Sequence, residues 1–461
     1  QEQLPTITDD SLAIYGYSQS AISGMDSNPY GPEIVIDGSQ AHSYSSGFVV
    51  KANEVRFYDL AINHIQQVGI WMQGVRNCGI CGCYIGVTAD GMQAAGNGYG
   101  ILLDDQTRDS YIAPFDTLIN CIGGNTYAGI AIEDGSVQNL ITKNIIGLNR
   151  MLTDSIPNYG EGGIRLYYEA DSNSVYMNWI GGNTTGISIY ESSYNFIADN
   201  FIGTDSLWQK QFGNRESGIR ISSSFANSSE HNEVFGNWIG NNGESGILVV
   251  GNLARYNDIY SNQISANQQK GIENRNSSSN EIQPPYFYSF LNNVLFGFAE
   301  RDQVIFIYTD EGSQGRCFIG STETDEDGEF TFNTAGLPLL NYLTTIAIDT
   351  TGNTSEFSET MAVPGTEVES YRIPLEFSLF QNHPNPFNQS TAISYQLSEG
   401  CRVMMKVFDV LGREVVTLVD KKQPAGKYRV MWDAFAVSSG IYFYQIKAGD
   451  FMAVRKMGLV K

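Results

Sequence analysis

Histidine, basic residues and long apolar runs are what this chain has least of. Four histidines stand in 461 residues, His42, His64, His231 and His383, and none lies in a motif. No Ser-His-Asp arrangement and no phosphate-binding glycine loop stands out, so neither nucleophilic hydrolysis nor nucleotide chemistry has a visible footing. Lys and Arg number 27 against 50 Asp and Glu, for a formal charge of −23. Nucleic-acid phosphates need clustered cations, and nucleic acid is not an expected partner. There is no apolar run long enough for a helical membrane span. The opening QEQLPTITDD has no basic and apolar leader pattern, so Gln1 is expected to be a processed mature start or the start of a truncated chain.

What the chain has in excess is a repeated phrase. YNFIADNFIG places Asn195 and Asn200 five apart, and the same spacing returns at Asn139 and Asn144, Asn173 and Asn178, Asn232 and Asn237, and Asn257 and Asn262. A Gly-Ile phrase interleaves with it from Gly69-Ile70 to Gly271-Ile272, with Gly47-Phe48 as a weaker first copy and spacings of 22 to 34 residues. Each unit holds three short apolar snippets that alternate with polar or small residues, the period of half-buried strands. Three strands and three turns per unit make one coil of a parallel β-helix, whose inward face is buried only by stacking on its neighbours. Asn suits the coil corners through its tolerance of left-handed backbone angles, and its amide can bond to the Asn of the next coil.

Cysteine is scarce: Cys78, Cys81, Cys83, Cys121, Cys317 and Cys401. Cys78 and Cys83 fall where later coils carry the asparagine pair. Their spacing lacks a second paired cluster or a nearby His, so stacked small side chains are expected rather than a metal site. A disulfide from Cys81 or Cys83 to Cys121 stays open. No metal or cofactor is expected; the acids of TDEDGEF, 324–330, are a weak calcium candidate without the full ligand spacing.

The coil rhythm runs to about residue 282, where Pro284 and Pro285 break it. Residues 283–362 read as an antiparallel sandwich of immunoglobulin-like size, and 363–375 as a linker. Residues 376–461 carry a charge of +4 against −27 for the rest, which suggests a separate task for the last module.

That last module carries the most specific resemblance. Pro384, Asn385, Pro386, Phe387 and Asn388, then Gly412 and Arg413, Trp432 and Asp433, Gly440, and the terminal Arg455, Lys456 and Lys461 closely resemble the C-terminal sorting domain of the type IX secretion system. The resemblance implies a small β-sandwich handled by that secretion machinery. It also implies a secreted or cell-surface protein of a Gram-negative, Bacteroidetes-like bacterium. The repeats resemble the right-handed parallel β-helix repeats of bacterial surface proteins. The expected fold is therefore all-β: a right-handed parallel β-helix over 1–282, followed by two small immunoglobulin-like sandwiches. Only three residues precede the LPTIT phrase, so the N-terminal face of the first coil is expected to be uncovered.

Two functional readings follow. The first is a structural or adhesive surface protein, self-assembling head to tail through open coil edges. The second is a polysaccharide-binding or polysaccharide-degrading protein. Its candidate catalytic pair is Asp104-Asp105, placed at a coil corner with Arg108 as the nearby base, although a solvated corner accounts for the pair as well. Its candidate contact surface is an outward aromatic column, Tyr84, Trp179, Phe201 and Trp238, beside three long loops that leave one corner. Those loops could equally fold back and cover the column.

Overall fold

The computed structural model describes residues 4–16, 28, 31–113, 119–310, 312–337, 341–363, 377–382, 384–398, 401–423, 426–435, 437–449 and 451–460. The chain divides into two compact units, residues 1–366 and 367–461.

The first unit opens with three parallel sheets of nine strands each. Sheet 1 runs from Phe48–Val50 through Val68–Gln73, Tyr99–Asp104, Ala128–Ile132, Gly162–Tyr167, Ile187–Tyr190, Ile219–Ser222 and Ile247–Val250 to Ile272–Arg275. Sheet 2 starts at Ala13–Tyr15 and ends at Asp258–Tyr260; sheet 3 starts at Ile34–Asp37 and ends at Gln263–Ser265. The chain visits the sheets in rotation, which makes the right-handed parallel β-helix.

The Gly-Ile phrase is explained by register. Ile70, Ile101, Ile130, Ile164, Ile187, Ile219, Ile247 and Ile272 pair in one unbroken column, all but inaccessible to solvent. Each fully buried Ile contributes on the order of 1.5–3 kcal/mol. The preceding glycine is needed because neighbouring coils approach closely: a Cβ on Gly100 would lie 2.4 Å from the Gly129 carbonyl oxygen.

The asparagines form ladders. Asn139, Asn173, Asn195, Asn232 and Asn257 are one, each side-chain oxygen accepting the backbone N–H of the residue one coil before. Asn120, Asn144, Asn178, Asn200, Asn237 and Asn262 are a second. A third, Asn97, Asn125, Asn158, Asn183, Asn214, Asn242 and Asn267, lies at the remaining corner and escapes the five-residue pattern. The ladder asparagines do not hold the left-handed angles. Those fall on the residue before, such as Gln138, Ser172, Tyr194, His231 and Tyr256, so Asn is there for its amide rather than its backbone. Cys78 and Cys83 occupy the first steps of two ladders, their amides donating to Ser110 Oγ and Asn120 Oδ1. Cys78, Cys81, Cys83 and Cys121 are buried free thiols, which resolves the open disulfide. Burial pushes Cys81, Cys83 and Cys121 up to about 12.

Residues 286–362 form two antiparallel sheets of three and four strands. Their loops close the C-terminal end of the coil stack. Asn353 Oδ1 accepts the Tyr256 N–H, Thr354 Oγ1 accepts the Ile259 N–H, and Gln314 Oε1 accepts the Asn267 N–H. The Asn267 ladder thus ends on Gln314, Thr354 Oγ1 donates to the carbonyl of the last asparagine of another, Asn257, and that end of the stack is not an open edge.

The second unit has sheets of three and four antiparallel strands, spanning Ser378–Leu379 to Phe451–Leu459. Trp432 packs between Phe387 and Tyr442 at centroid distances of 5.5 and 5.4 Å. Asn385 Oδ1 accepts the Gly458 N–H, and Arg455 Nε donates to the Leu379 carbonyl. The Asn385–Pro386 peptide is cis and Pro384 O accepts from Thr391 Oγ1. Gly412 takes the left-handed turn that brings Arg413 onto Asp409; Gly440 opens a strand, and Lys456 stands exposed on the next. Lys461 and the linker beyond Val363 lie outside the described residues.

Candidate functional site

Asp104 and Asp105 part company. Asp105 takes left-handed angles at the corner, whereas Asp104 ends a strand of sheet 1 and points along its outer face. The corner expected for the pair holds only for Asp105. Arg108 lies further round that corner, in a cleft of about 630 Å³ lined by Gly74, Arg76, Asp105, Gln106, Arg108 and Glu169.

Register explains what Asp104 meets. In a strand that turns its Gly-Ile column inward, the residues two and four after the glycine face out. In successive coils these are Leu102 and Asp104, Ala131 and Glu133, Arg165 and Tyr167, Ser188 and Tyr190. One strip of the outer face thus brings together two carboxylates, a guanidinium and several phenols from residues about 90 apart in sequence.

Arg165 organises the strip. It is only 8 % exposed although it lies on an outer face. Its Nε meets Glu133 Oε1 at 3.0 Å, Nη1 pairs with Glu161, and Nη1 also donates to Tyr99 Oη at 3.3 Å. Its guanidinium carbon lies 4.2 Å from the Tyr167 ring centroid and 5.9 Å from that of Tyr99. Tyr168 meets Tyr167 and Tyr190 edge to face at 5.8 Å, Tyr167 and Tyr190 meet tilted at 5.3 Å, and Tyr99 packs on exposed Tyr127. Tyr167 Oη and Ser188 Oγ share a hydrogen bond of 3.0 Å. At the other end, Trp71 Nε1 donates to Asp104 Oδ2 at 2.9 Å, while Asp104 Oδ1 is buried without a hydrogen-bond partner.

Both carboxylates are held above their usual range. Burial is the main cause for Asp104, with the charges of Asp134 and Asp105 adding and the Trp71 bond opposing. Burial is again the main cause for Glu133; Arg165 opposes it, and Asp134, Glu161 and Asp104 add. None of the tyrosines, nor Glu133 and Arg165, is singled out by a local motif. Aligning the chain on Gly-Ile and reading the second and fourth residues onward would have found the pairs.

The aromatic column lies on sheet 3, in register through Tyr84, Cys121, Ile145, Trp179, Phe201 and Trp238. Trp179 stacks on Phe201 at 4.5 Å, and Phe201 meets Trp238 tilted at 5.2 Å. The long loops fold back over it. Tyr84 is buried in an apolar cluster with Val87, Leu148 and Ile156 from two of them, and Trp179 packs against that cluster. An open column is thus corrected at Tyr84, because covering these rings removes more apolar surface from water than solvating the loops gains. Arg150 Nε and Lys210 Nζ each donate to a carbonyl of the preceding loop, and so tie the three loops together.

Residues 6–206 match the family profile described as periplasmic copper-binding protein (NosD), and residues 382–459 match that of the secretion system C-terminal sorting domain. The chain is a parallel β-helix protein of the secreted or cell-surface class. More particularly, it carries a type IX secretion sorting domain, which places it among exported proteins of Bacteroidetes-type bacteria. No curated protein matches. Among solved structures, dimeric latent PorU of Porphyromonas gingivalis is 15 % identical over 39 % of this chain, with a TM-score of 0.17, and the chain spans only a fifth of it, 20 %. The A-module of Azotobacter vinelandii mannuronan C-5 epimerase is 14 % identical over 58 % of this chain and 84 % of its own, with a TM-score of 0.33. Tailspike protein 2 of Escherichia coli O157:H7 bacteriophage CAB120 is 10 % identical over 90 % and 60 %, with a TM-score of 0.24.

The donor set does not fit copper. Copper takes imidazole, thiolate and thioether ligands, and among the described residues no three of His, Cys, Asp and Glu are grouped to hold a metal. Cys78, Cys81, Cys83 and Cys121 are buried as thiols. In the calcium candidate, Asp325 Oδ1 is spent on the Asp327 and Glu329 amides of its own turn.

Proposed function

We propose that this secreted protein is an adhesive surface protein that holds a polysaccharide along the outer face of sheet 1. The observation that carries the reading is the tyrosine strip of Tyr99, Tyr127, Tyr167, Tyr168 and Tyr190, anchored on buried Arg165. Phenol rings on a rigid sheet offer flat apolar faces with polar rims at little entropic cost, which is what a pyranose ring needs. Head-to-tail assembly by coil stacking is not supported at the C-terminal end, where the sandwich occupies the last coil.

The test is saccharide binding by the full chain. Tyr167→Ala with Tyr190→Ala is expected to weaken binding at least tenfold with the thermal transition of the β-helix retained. Trp179→Ala, beneath the loops, is expected to lower stability by about 2–4 kcal/mol and leave affinity unchanged. The reverse pattern would move the site to sheet 3.

A second reading is glycoside hydrolysis by Asp104 and Glu133. Asp104 ends its strand and Glu133 directly follows the end of the neighbouring one, on coils about 4.8 Å apart, a spacing close to the carboxylate separation of about 5–5.5 Å in retaining enzymes. Release of reducing ends that disappears in Asp104→Asn and in Glu133→Gln would support it.

A further inference from the structure

The strip described above has rims, and their charge bears on the ligand. Resting on the saccharide-binding reading, we infer that the ligand of sheet 1 is a polysaccharide bearing free amines, and that anionic polysaccharides are excluded. On one side Glu161, Glu216 and Glu244 stand at corners ahead of the sheet 1 strands, with Thr184 at the corner between Glu161 and Glu216. Glu216 and Glu244 are steered by Thr185 Oγ1 and Ser217 Oγ, which donate to them at 3.3 Å. On the other side Asp134, Glu169 and Glu191 follow the strands, and a smaller cleft of about 370 Å³ runs between them beside exposed Tyr168.

Between the rims lie Asp104 and Glu133. These eight carboxylates outnumber the cations of the same stretch, which are the guanidinium groups of Arg165, Arg215 and Arg220 and the Lys51 ammonium whose charge reaches Asp104. Arg165 is taken up by Glu133 and Glu161 and Arg215 pairs with Glu216, which leaves Arg220, in register with Ser188, to be outweighed by the rim carboxylates. Arg76 and Arg108 share a cleft with Asp105, Glu169 and Asp171 at one end of that rim. Adjacent coils are about 4.8 Å apart, within the Debye length of about 8 Å at physiological salt, so Glu216 with Glu244, and Asp134 with Glu169 and Glu191, act together along their rims. A uronate or sulfate chain laid on the tyrosines would meet those charges as repulsion. Ammonium groups would meet carboxylates at the rims and ring faces on the floor, an arrangement in which cation–π attraction adds to charge.

The test measures binding of the full chain at pH 6 to chitosan, chitin and galacturonate oligomers of equal length, with poly-lysine as a second cation. Chitosan is expected to bind at least tenfold tighter than chitin at low salt, with the gap closing at high salt and galacturonate not binding. Glu169→Gln with Glu216→Gln and Glu244→Gln is expected to close the same gap while chitin affinity stays. Tyr167→Ala with Tyr190→Ala should weaken both. Galacturonate or chitin binding as tight as chitosan, lost in the tyrosine variant, would overturn the amine inference and leave the saccharide reading standing. Poly-lysine binding tighter than chitosan and indifferent to the tyrosines would overturn it in favour of a basic protein. Binding of none of these would sink both.

Discussion

At the scale of the residue, one amide serves five bonds. Asn178 Oδ1 accepts the Asn144 N–H and Asn144 Nδ2, and its Nδ2 donates to Asn200 Oδ1, the Ile141 carbonyl and the Tyr176 carbonyl. All of this is buried, so Asn178→Ala leaves neighbours above and below without partners. Each orphaned buried group costs about 1–3 kcal/mol, and a loss of about 3 kcal/mol in urea unfolding of the β-helix is expected. A loss below 1 kcal/mol would mean that the ladder is ornamental. The ladder was half legible. Two of its three rows follow a fixed five-residue spacing, because a single short strand of sheet 2 separates their corners. The third follows turns of variable length, after Gly124, Gly182, Gly213 or Ala266, and no spacing betrays it. The same limit hid the site. Asp104 could be noticed beside Asp105, but Glu133 and Arg165 become its neighbours only once the coil lengths between Gly100, Gly129 and Gly163 are known to be single turns.

At the scale of the element, the sandwich after residue 282 acts as the last step of the ladders. Its Asn353, Thr354 and Gln314 take the place that a further coil would fill, and Glu356 accepts the Asn274 N–H at 3.0 Å. A stack of parallel strands with an unpaired edge is a template for other chains, and a repeat array needs a terminal unit of different character. Gln314→Ala with Asn353→Ala is therefore expected to speed hydrogen exchange at the Tyr256 and Asn267 amides at least tenfold, while the amides of Ile130 and Ile164 stay unchanged. Equal acceleration throughout would show global destabilisation rather than a loosened cap. The loops over sheet 3 follow a similar logic: a column of aromatic residues was legible, but its cover depends on contacts such as Lys210 to Leu152 that no local pattern announces.

At the scale of the whole molecule, the acidic balance sets the pH dependence. Asp104, Glu133, Asp171 and Asp258 are all raised, mainly by burial. A carboxyl raised in the fold binds its proton more tightly there than in the unfolded chain, so stability increases as pH falls through its folded value and decreases as pH rises. The gain is complete once pH reaches the unfolded values, near the ordinary 3.8 of Asp and 4.5 of Glu. Asp37, Asp90 and Asp349 are lowered, Asp37 and Asp90 chiefly by hydrogen bonds from backbone and side chain, and Asp349 by several such bonds that outweigh its burial. Their contribution is present above the ordinary value and is lost as pH falls through their folded ones. The two sets act in different windows, and a net charge of −23 adds self-repulsion that acidification relieves. The transition temperature of the full chain is expected to rise from pH 7.5 to about the upper carboxylate range, then fall below it. Asp104→Asn with Asp258→Asn should flatten the rising limb and spare the falling one. A transition temperature that declines steadily from pH 7.5 downward would mean that the buried carboxylates of sheet 1 are solvated in the folded protein, and the strip around Arg165 would lose its electrostatic character.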